Sequence, residues 1–273
     1  MAKVPLLKDL TWIEFENLVP KDPIILLPFG SQEEQGPHAP MGDYMLTDRI
    51  AELVAAKSGA IAAPIIPFGY ADYFRPVPGG IQLRAETFAM LLEDICNGFI
   101  VHGIKRLVIF NGHSGNYPVI DQTIRLIKRR TGVMIPCLNV WRLMTPEKLK
   151  EIYGDKAGEA SGHGADPLTS VYMHFYPEKL RMDLVGSMAK KQVWGLPTSA
   201  LNAVKFQNVD VNIPLDVDEI TDSGIVSGNP GVSSAEIGAK IVDYIVDFTT
   251  AFLQHFDRAT CPDAASPTKE KSK

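Results

Sequence analysis

The sequence predicts an α/β protein with a central, mostly parallel sheet flanked by helices. Short apolar runs rich in Val, Ile and Leu alternate along the chain with longer segments of helical period. The apolar runs are nearly continuous, as expected for strands that are covered on both faces of a parallel sheet. This alternation of strands and helices is typical of α/β domains.

Four buried strands are predicted in the first half of the chain. They are PIILLPFG (23–30), AIAAPIIPFG (60–69), RLVIFNG (106–112) and GVMIPCLNVW (132–141). Helices are predicted over 43–59, 86–103 and 116–132, and each segment ends at a glycine suited to a helix C-terminus. Ligands of such sheets bind beyond the carboxyl ends of the strands, so the loops there are the candidate site.

The second half of the chain is less regular. Residues 142–231 are predicted to be irregular, although no linker separates them as a second domain. An amphipathic helix is predicted over 233–256, with Ser233 or Ser234 as its N-cap. Residues 258–273 are small, polar and Pro-bearing and are predicted to be a disordered tail, so the single domain is assigned to 1–257.

The composition narrows the class of protein. A hydrophobic fraction of 45% and a charged fraction of 22% are ordinary for soluble globular proteins. The net charge of -5 argues against nucleic acid as a partner. No apolar run approaches the roughly 20 residues that span a bilayer. Three cysteines without CxxC spacing, and no signal peptide, predict a cytoplasmic protein.

Three loops contain side chains of the types that bind metal ions or transfer protons. The first, PFGSQEEQGPHAPMGD (28–43), follows the first strand and is rich in ligand-type side chains. In the second, NGHSGN, glycines around His113 allow a sharp turn and a close approach. In the third, GEASGHGADPLTS, His163 is a candidate general acid or base. There Asp166 is a suitable N-cap and Pro167 the first residue of a helix.

Taken together, these loops predict a divalent-metal site. Carboxylates and imidazoles from separate parts of a chain are common ligands of such ions. A bound ion lowers the pKa of water to roughly 7 and polarises a carbonyl group. Each histidine, considered alone, is also compatible with a purely structural role in its loop. The combination indicates metal-assisted hydrolysis at the open end of the sheet.

A serine hydrolase is the competing enzyme class. GHSGN is similar to a nucleophile elbow in which Ser114 would attack the substrate. The elbow pattern G-x-S-x-G requires glycine where this chain has Asn116, and no HGGG-type segment lies upstream. The sequence therefore favours the metal site over the serine nucleophile.

The three loops resemble motifs of the creatininase (creatinine amidohydrolase) superfamily, as do PVPGGIQL (76–83) and SGNPGVSSAEIG (227–238). The resemblance implies an α/β fold, assembly into hexamers and a site for Zn, Mn or Fe. It also implies opening of small cyclic amides or removal of acyl groups. Position by position, it assigns Glu33 and His113 as metal ligands and His163 as the catalytic histidine.

The first loop departs from the family pattern at two positions. Gln35 stands where the family has a second ligating histidine, and an amide oxygen is a poorer ligand for zinc. Tyr44 stands where the family has a bridging aspartate. Asp43 is one position earlier and is the expected third ligand, with Asp48 as the next candidate.

Two further departures concern the other loops. Gly115 replaces a glutamate that completes a second metal site in creatininase. Gly162 replaces the glutamate that precedes the catalytic histidine, and the nearest acidic substitute is Glu159. We therefore expect one firm metal ion, held by Glu33, Asp43 and His113, and a weakened second site. Gln35 or a residue near 159–166 is the candidate fourth contact.

These departures argue against creatinine as the substrate. The segment EEQGPHAPMGDYMLTD resembles a branch of 3-dehydro-scyllo-inosose hydrolases, which open a cyclic diketone of inositol catabolism by hydrolytic C–C cleavage. The resemblance then assigns His163 and Glu159 to catalysis. Substrate contacts are assigned to Glu34, His38, Tyr44, Arg75, Ser114 and Asp166. Two alternatives stay open: a hydrolase of a creatinine-like cyclic amide or formamide, and a non-catalytic member that binds a small ligand.

Overall fold

Four parallel strands form the central sheet, in the spatial order β2–β1–β3–β4. They are β1 (Ile25–Phe29), β2 (Ile61–Ala62), β3 (Leu107–Asn111) and β4 (Cys137–Asn139). β1 pairs with β3 along its whole length, from Ile25 opposite Leu107 to Phe29 opposite Asn111. The computed structural model describes residues 6–259. The predicted α/β class with a parallel sheet is confirmed.

The helices of the described residues connect and flank these strands. They are α1 (Trp12–Glu16), α2 (Tyr44–Ser58), α3 (Ala85–Ile100), α4 (Tyr117–Thr131), α5 (Pro146–Tyr153), α6 (Ala157–Ala160), α7 (Leu168–Phe175), α8 (Val217–Ile220) and α9 (Ala235–Arg258). The helices predicted over 43–59, 86–103 and 116–132 correspond to α2, α3 and α4. Gly59 and Gly132 end α2 and α4 in the left-handed conformation.

Two apolar layers enclose the sheet, because successive side chains of a strand point to opposite faces. Leu26 and Phe110 pack with residues of α2, α7 and α9 on one face. Leu27 and Ile109 pack with residues of α3 and α4 on the other face. All residues of β1 and β3 are buried. This double burial explains why the two strands have nearly continuous apolar sequences.

β2 and β4 are shorter than predicted. Pro64 and Pro67 interrupt the run that follows β2, and Pro136 precedes β4. Proline has no N–H group to donate to a neighbouring strand, and these prolines lie where the two edge strands β2 and β4 are interrupted. Beyond β2, pairing survives only as isolated bridges, such as Phe29 with Ile66.

A second, antiparallel sheet lies in the region for which an irregular structure was predicted, so that prediction was wrong there. It consists of β5 (Gln192–Val193), β6 (Leu196–Ser199), β7 (Ala203–Phe206) and β8 (Val209–Asn212), paired in chain order. Gln207 and Asn208 form the turn between β7 and β8 with positive φ angles of 48° and 64°. Every residue of β8 is exposed.

The helix predicted over 233–256 is α9, which begins after Ser234. The Ser234 hydroxyl accepts a hydrogen bond from the Ile237 N–H group at 3.2 Å, as predicted for an N-cap. α9 continues through Arg258. The predicted tail at 258–273 otherwise lies outside the described residues, and the boundary at 257 stays a prediction. Within residues 6–259, no helix has the length and apolar character needed to cross a membrane.

Candidate metal centre

Glu33, Asp43 and His113 meet beyond the carboxyl ends of β1 and β3. Glu33 lies in the loop after β1, Asp43 ends this loop before α2, and His113 follows β3. One ligand atom of each residue lies within 4.8 Å of the others. His113 Nδ1 is 2.9 Å from Glu33 Oε2 and 3.2 Å from Asp43 Oδ2. All three side chains are buried, as a preformed site requires.

The backbone around Asp43 fixes the direction of its carboxylate. Asp43 Oδ1 accepts a hydrogen bond from the Ser31 N–H group at 2.7 Å, which leaves Oδ2 toward His113. A Cβ at Gly30 would lie 2.6 Å from Tyr44 Cα and 2.8 Å from Asp43 Oδ1. Only glycine therefore lets β1 approach the start of α2 closely enough to place Asp43 in the cluster.

The three side chains fit a divalent cation. Glu33 Oε2 is buried and has no hydrogen-bond partner among the described residues, although it lies close to His113 Nδ1. His113 Nε2 is 3.2 Å from the Tyr70 carbonyl oxygen, to which it donates. In the neutral ring the Nδ1 lone pair then points toward the two carboxylates. Two carboxylates and an imidazole suit Zn, Mn or Fe.

The charges of the cluster shift its pKa values. Burial raises the pKa of Asp43 to about 6, although the hydrogen bond with His113 opposes this shift. Burial disfavours the charged form of His113, but the Glu33 and Asp43 charges outweigh it and raise the His113 pKa to about 10. Without a metal, a proton on His113 therefore holds the two carboxylates together, and an entering cation must displace it.

His163 lies opposite the cluster and is paired with Glu34. His163 Nε2 is 2.7 Å from Glu34 Oε1. Phe74 stacks on the imidazole ring, with centroids 4.3 Å apart and an interplanar angle of 25°. Burial lowers the pKa of His163, but the Glu34 charge outweighs it, so the pKa is raised from its usual value. The pair thus combines a fixed ring plane with a fixed hydrogen bond.

A cavity of about 290 Å³ opens between the metal cluster and His163. Of the residues assigned to the site from sequence, it is lined by Glu33, Gln35, Asp43, His113, Ser114, His163 and Asp166. Gln35 Nε2 donates to Glu33 Oε1 at 2.9 Å, so Gln35 orients the ligand Glu33. No hydrogen bond joins Ser114 to a histidine within residues 6–259, so the arrangement of a serine nucleophile with its base is absent there.

Several residues that line the cavity were not predicted from the sequence. Tyr73 and Phe74, on the 3-10 turn Asp72–Phe74, line the cavity together with Trp141, Arg142 and Leu201. Burial raises the pKa of Tyr73 well above its usual value, and the Glu33 and Asp43 charges add to this effect. Tyr73 lies in the segment ADYFRP, which contains no histidine. The strand-end argument relied on loops that contain histidine and therefore did not select this segment.

Five residues assigned from sequence do not line this cavity: Glu34, Glu159, Arg75, His38 and Tyr44. Glu159 is exposed on α6. The exposed Arg75 pairs with Asp72, its Nε 2.8 Å from Oδ1. His38 and Tyr44 line a separate cleft of about 470 Å³. His38 is buried there, with Nε2 3.1 Å from Thr169 Oγ1.

Two substrate contacts assigned from sequence are protein contacts in the structure. Glu34 is engaged by His163 and by the Gly36 N–H group at 2.7 Å. Asp166 is fully buried and accepts hydrogen bonds from Tyr153 Oη, Ser233 Oγ and the N–H and hydroxyl groups of Ser170. Because these donors occupy both Asp166 oxygens, the residue is a structural junction. The prediction of Asp166 as N-cap and Pro167 as first helical residue was wrong by one residue, because Pro167 is the N-cap and α7 begins at Leu168. Asp166 Oδ1 still accepts a hydrogen bond from the Ser170 N–H group in the first turn.

The two glycines that replace family glutamates leave no room for a side chain. A Cβ at Gly115 would lie 2.4 Å from His113 Nε2 and 2.5 Å from the Tyr73 hydroxyl. A Cβ at Gly162 would lie 2.1 Å from the Ser227 hydroxyl oxygen and 2.2 Å from its carbonyl oxygen. Glutamate at either position would require its neighbours to move, and this favours one metal ion.

A family model described as creatininase, creatinine amidohydrolase, matches residues 8–253. The chain belongs to the creatininase family. Members of this family are metal-dependent hydrolases, and the cluster of Glu33, Asp43 and His113 gives this member a candidate metal site. The predicted family and enzyme class are confirmed.

Relatives within the creatininase family differ in their substrates. A creatinine amidohydrolase of Pseudomonas putida is 29% identical over 200 residues, which cover 68% of this chain and 77% of the relative. A 3-dehydro-scyllo-inosose hydrolase of Thermotoga maritima is 36% identical over 98 residues, or 35% of this chain and 32% of the relative. A mycofactocin precursor peptide peptidase of Mycobacterium tuberculosis is 24% identical over 260 residues, 90% of each chain.

A solved structure confirms the creatininase fold for this chain. A mutant creatininase complexed with creatine superposes with a TM-score of 0.78 at 25% sequence identity. The superposition covers 94% of this chain and 100% of the creatininase chain. The two chains therefore share their fold over nearly their whole length.

Proposed function

We propose that this protein is a hydrolase that uses one divalent metal ion to open a small polar ring. The best candidate substrate is the cyclic diketone 3-dehydro-scyllo-inosose. The observation that carries the proposal is the buried cluster of Glu33, Asp43 and His113, which faces His163 across one small cavity. A cation on one wall and a proton-transfer group on the other are the parts that metal-assisted hydrolysis requires.

Two observations support the diketone over creatinine. Gly115 and Gly162 leave no space for the glutamates that the family resemblance associates with a second metal ion and with the catalytic histidine. The local similarity to the inosose hydrolase, 36% over 98 residues, is higher in identity than the longer match to creatinine amidohydrolase. The cavity of about 290 Å³ is small, as expected for a single ring.

The residues of the site divide the chemistry between them. A divalent ion held by Glu33, Asp43 and His113 would polarise a substrate carbonyl and lower the pKa of water. In the proposed reaction, water adds to one carbonyl carbon and the adjacent C–C bond breaks. Its electron pair is delocalised into the remaining carbonyl group. His163 accepts the proton that the attacking water loses and returns it to the departing carbon, and the ring opens to a carboxylic acid.

A cyclic amide is the second candidate substrate. The match to creatinine amidohydrolase extends over 68% of this chain and favours C–N cleavage at the same site. A ligand-binding member without activity is a third candidate. It is disfavoured because His163 lines the same cavity as the metal cluster, and a protein that only binds a ligand does not require a proton-transfer group there.

The test is hydrolysis by protein that has been stripped with a chelator and reloaded with Mn, Zn or Fe. We expect ring opening of 3-dehydro-scyllo-inosose that disappears with the chelator and returns with one of the metals. Creatinine and a formamide are the competing substrates in parallel assays. Opening of creatinine with the diketone left intact would contradict the substrate assignment. Hydrolysis that survives metal removal would contradict the metal mechanism.

Elemental analysis of the loaded protein tests the number of ions. We expect one per chain, since the protein atoms around Gly115 occupy the space of a further ligand. Two ions per chain would contradict this expectation.

We also propose that the enzyme is a cytoplasmic homo-oligomer, a hexamer, with a small-molecule substrate and no nucleic-acid or membrane partner. The family resemblance supports the hexamer, and the net charge of -5 supports the absence of nucleic acid. Light scattering coupled to size-exclusion chromatography measures the number of chains. A monomeric mass would contradict the assembly.

A further inference from the structure

We propose that Glu34 is the positioning residue of His163, and that His163 exchanges protons with the substrate through Nδ1. The role in hydrolysis rests on the proposed function. Glu34 was assigned from sequence to substrate hydroxyl groups, and the family resemblance places the acidic neighbour of the histidine at 162. The structure instead brings a carboxylate from the loop after β1 to His163, a residue 129 positions away.

The hydrogen bond between the two side chains determines which nitrogen carries the proton. An ionised carboxylate can only accept hydrogen bonds, so Glu34 Oε1 at 2.7 Å requires an N–H group at His163 Nε2. The other oxygen, Glu34 Oε2, accepts from the Gly36 N–H group at 2.7 Å. Both carboxylate oxygens are thus oriented by the fold, and the neutral ring is held as the tautomer protonated at Nε2.

The second ring nitrogen is left for the cavity. His163 lines the cavity, and its Nδ1 has no hydrogen-bond partner in the described part of the chain. Nδ1 is also not among the buried polar atoms that lack a partner, so it is open to the cavity. The stacked ring of Phe74 holds the imidazole plane at 25° to its own. These contacts leave Nδ1 as the proton-transfer atom.

Three glycines explain why the carboxylate comes from Glu34. A side chain at Gly162 would collide with Ser227, at 2.1 Å from its hydroxyl oxygen. A Cβ at Gly224 would lie only 2.3 Å from Glu34 Oε2, so the bare backbone of Gly224 makes room for this carboxylate. Gly36, with φ of 78°, provides the N–H group that orients it. Glu159, the acidic substitute expected from sequence, is exposed on α6.

The first experiment separates positioning from binding. Glu34→Gln keeps the size of the side chain but removes its charge, and Glu34→Ala removes the contact. We expect kcat to fall about 10-fold and about 100-fold respectively, and the larger loss reaches the lower end of the range of general acid–base catalysis. KM should stay within about twofold, and one metal ion per chain should remain. Glu151→Gln, an exposed residue on α5, is the matched control.

The second experiment does not depend on a substrate. Long-range ¹H–¹⁵N spectra of the histidine-labelled holoenzyme report the protonation of each ring nitrogen, and His163→Gln assigns the signals. At a pH above the raised pKa of His163, we expect a neutral ring protonated at Nε2 and unprotonated at Nδ1. In Glu34→Ala, the His163 ring should no longer be held in this single tautomer. The wild-type spectrum decides the tautomer even where a variant fails to fold or the proposed substrate is wrong.

Three outcomes would overturn the proposal. One is a wild-type His163 that carries its proton on Nδ1. Another is a Glu34→Gln enzyme with unchanged kcat, or one whose rate falls only in proportion to lost metal. The last is a loss of kcat in Glu159→Gln while Glu34→Gln retains full rate.

Discussion

The parallel and the antiparallel sheet differ in burial and in what they supply to the site. β1 and β3 are completely buried, and the loops at their ends hold Glu33, Asp43 and His113. β8 is completely exposed, and the connection between β6 and β7 supplies only Leu201 to the cavity wall. The metal ligands thus follow completely buried strands, while the antiparallel sheet contributes one residue to the cavity wall.

This division suggests how one family acts on different substrates. Loops on a rigid scaffold tolerate changes that the scaffold does not, and they carry specificity. A change in the antiparallel sheet would alter a wall of the cavity without moving a metal ligand. A change in β1 or β3 would disturb both core layers and the ligands together.

Glu33→Gln, in the loop after β1 of the parallel sheet, should have the largest effect on metal binding and activity. The amide is neutral and replaces the one cluster oxygen that lacks a hydrogen-bond partner. We expect loss of the bound metal and a fall in kcat/KM of at least about 10³-fold, since the ion supplies several kcal/mol to the reaction. Metal per chain and kcat/KM are measured together, with Glu151→Gln as the control. A variant with full metal content would show that Glu33 is not a ligand.

Gly112→Ala tests how tightly the end of β3 is packed. The added Cβ would lie 1.7 Å from Thr47 Oγ1 on α2, a hydroxyl that already donates to the Asp43 carbonyl oxygen. We expect a loss of about 1–3 kcal/mol in the free energy of unfolding. Gly98→Ala in α3, where a Cβ meets nothing within 4 Å, should instead stabilise by about 0.5–1 kcal/mol. Equal denaturant midpoints for the two variants would contradict the packing argument.

The affinity for metal should depend on pH through the ligands. The folded metal-free protein holds a proton on His113, whose pKa is about 10, and a cation must displace it. Affinity should therefore rise with pH, by about tenfold per unit below the pKa for one displaced proton. Calorimetry in buffers of different ionisation enthalpy counts the protons released. Binding without proton release near neutral pH would contradict the raised pKa.

Substitutions on the exposed antiparallel sheet should have the smallest effect. Phe206 and Val209 are 51% and 63% exposed, so little apolar area is lost when they become polar. We expect Phe206→Ser and Val209→Thr to change the free energy of unfolding of an isolated chain by about 0.5 kcal/mol at most. Unfolding is measured at two protein concentrations. A larger loss that depends on concentration would indicate that another copy covers this sheet.

The same contrast explains how much of the fold followed from sequence. The strands β1 and β3 are apolar at nearly every position because both faces are buried, and this signal is local. The strands of the antiparallel sheet have two to four residues and alternate little. Their clearest turn uses Gln207 in the left-handed region, where glycine or asparagine would be the usual signal. Such a sheet depends on tertiary contacts more than on its own pattern.

Prediction of the site from sequence was limited in the same way, by contacts between distant parts of the chain. The strand-end argument selected the loops that contain Glu33, Asp43 and His113, and the family resemblance then assigned the ligands within them. The contact between Glu34 and His163 was not predicted, since the two loops are distant in sequence and the nearer Glu159 was the natural choice. Tyr73 and Phe74 were missed because a short 3-10 turn has no periodic signature.

The junction at Asp166 has a consequence for the order of synthesis. Its carboxylate joins the segment that carries His163 to Ser233, which immediately precedes the N-cap of α9. All metal ligands lie before residue 114, but one face of the sheet that positions them is covered by α7 and α9. The His163 segment likewise stays without its Ser233 contact until the C-terminal helix begins to emerge from the ribosome. The metal cluster and the proton-transfer residue therefore both depend on the last helix, and a newly made chain would become an enzyme only near the end of translation.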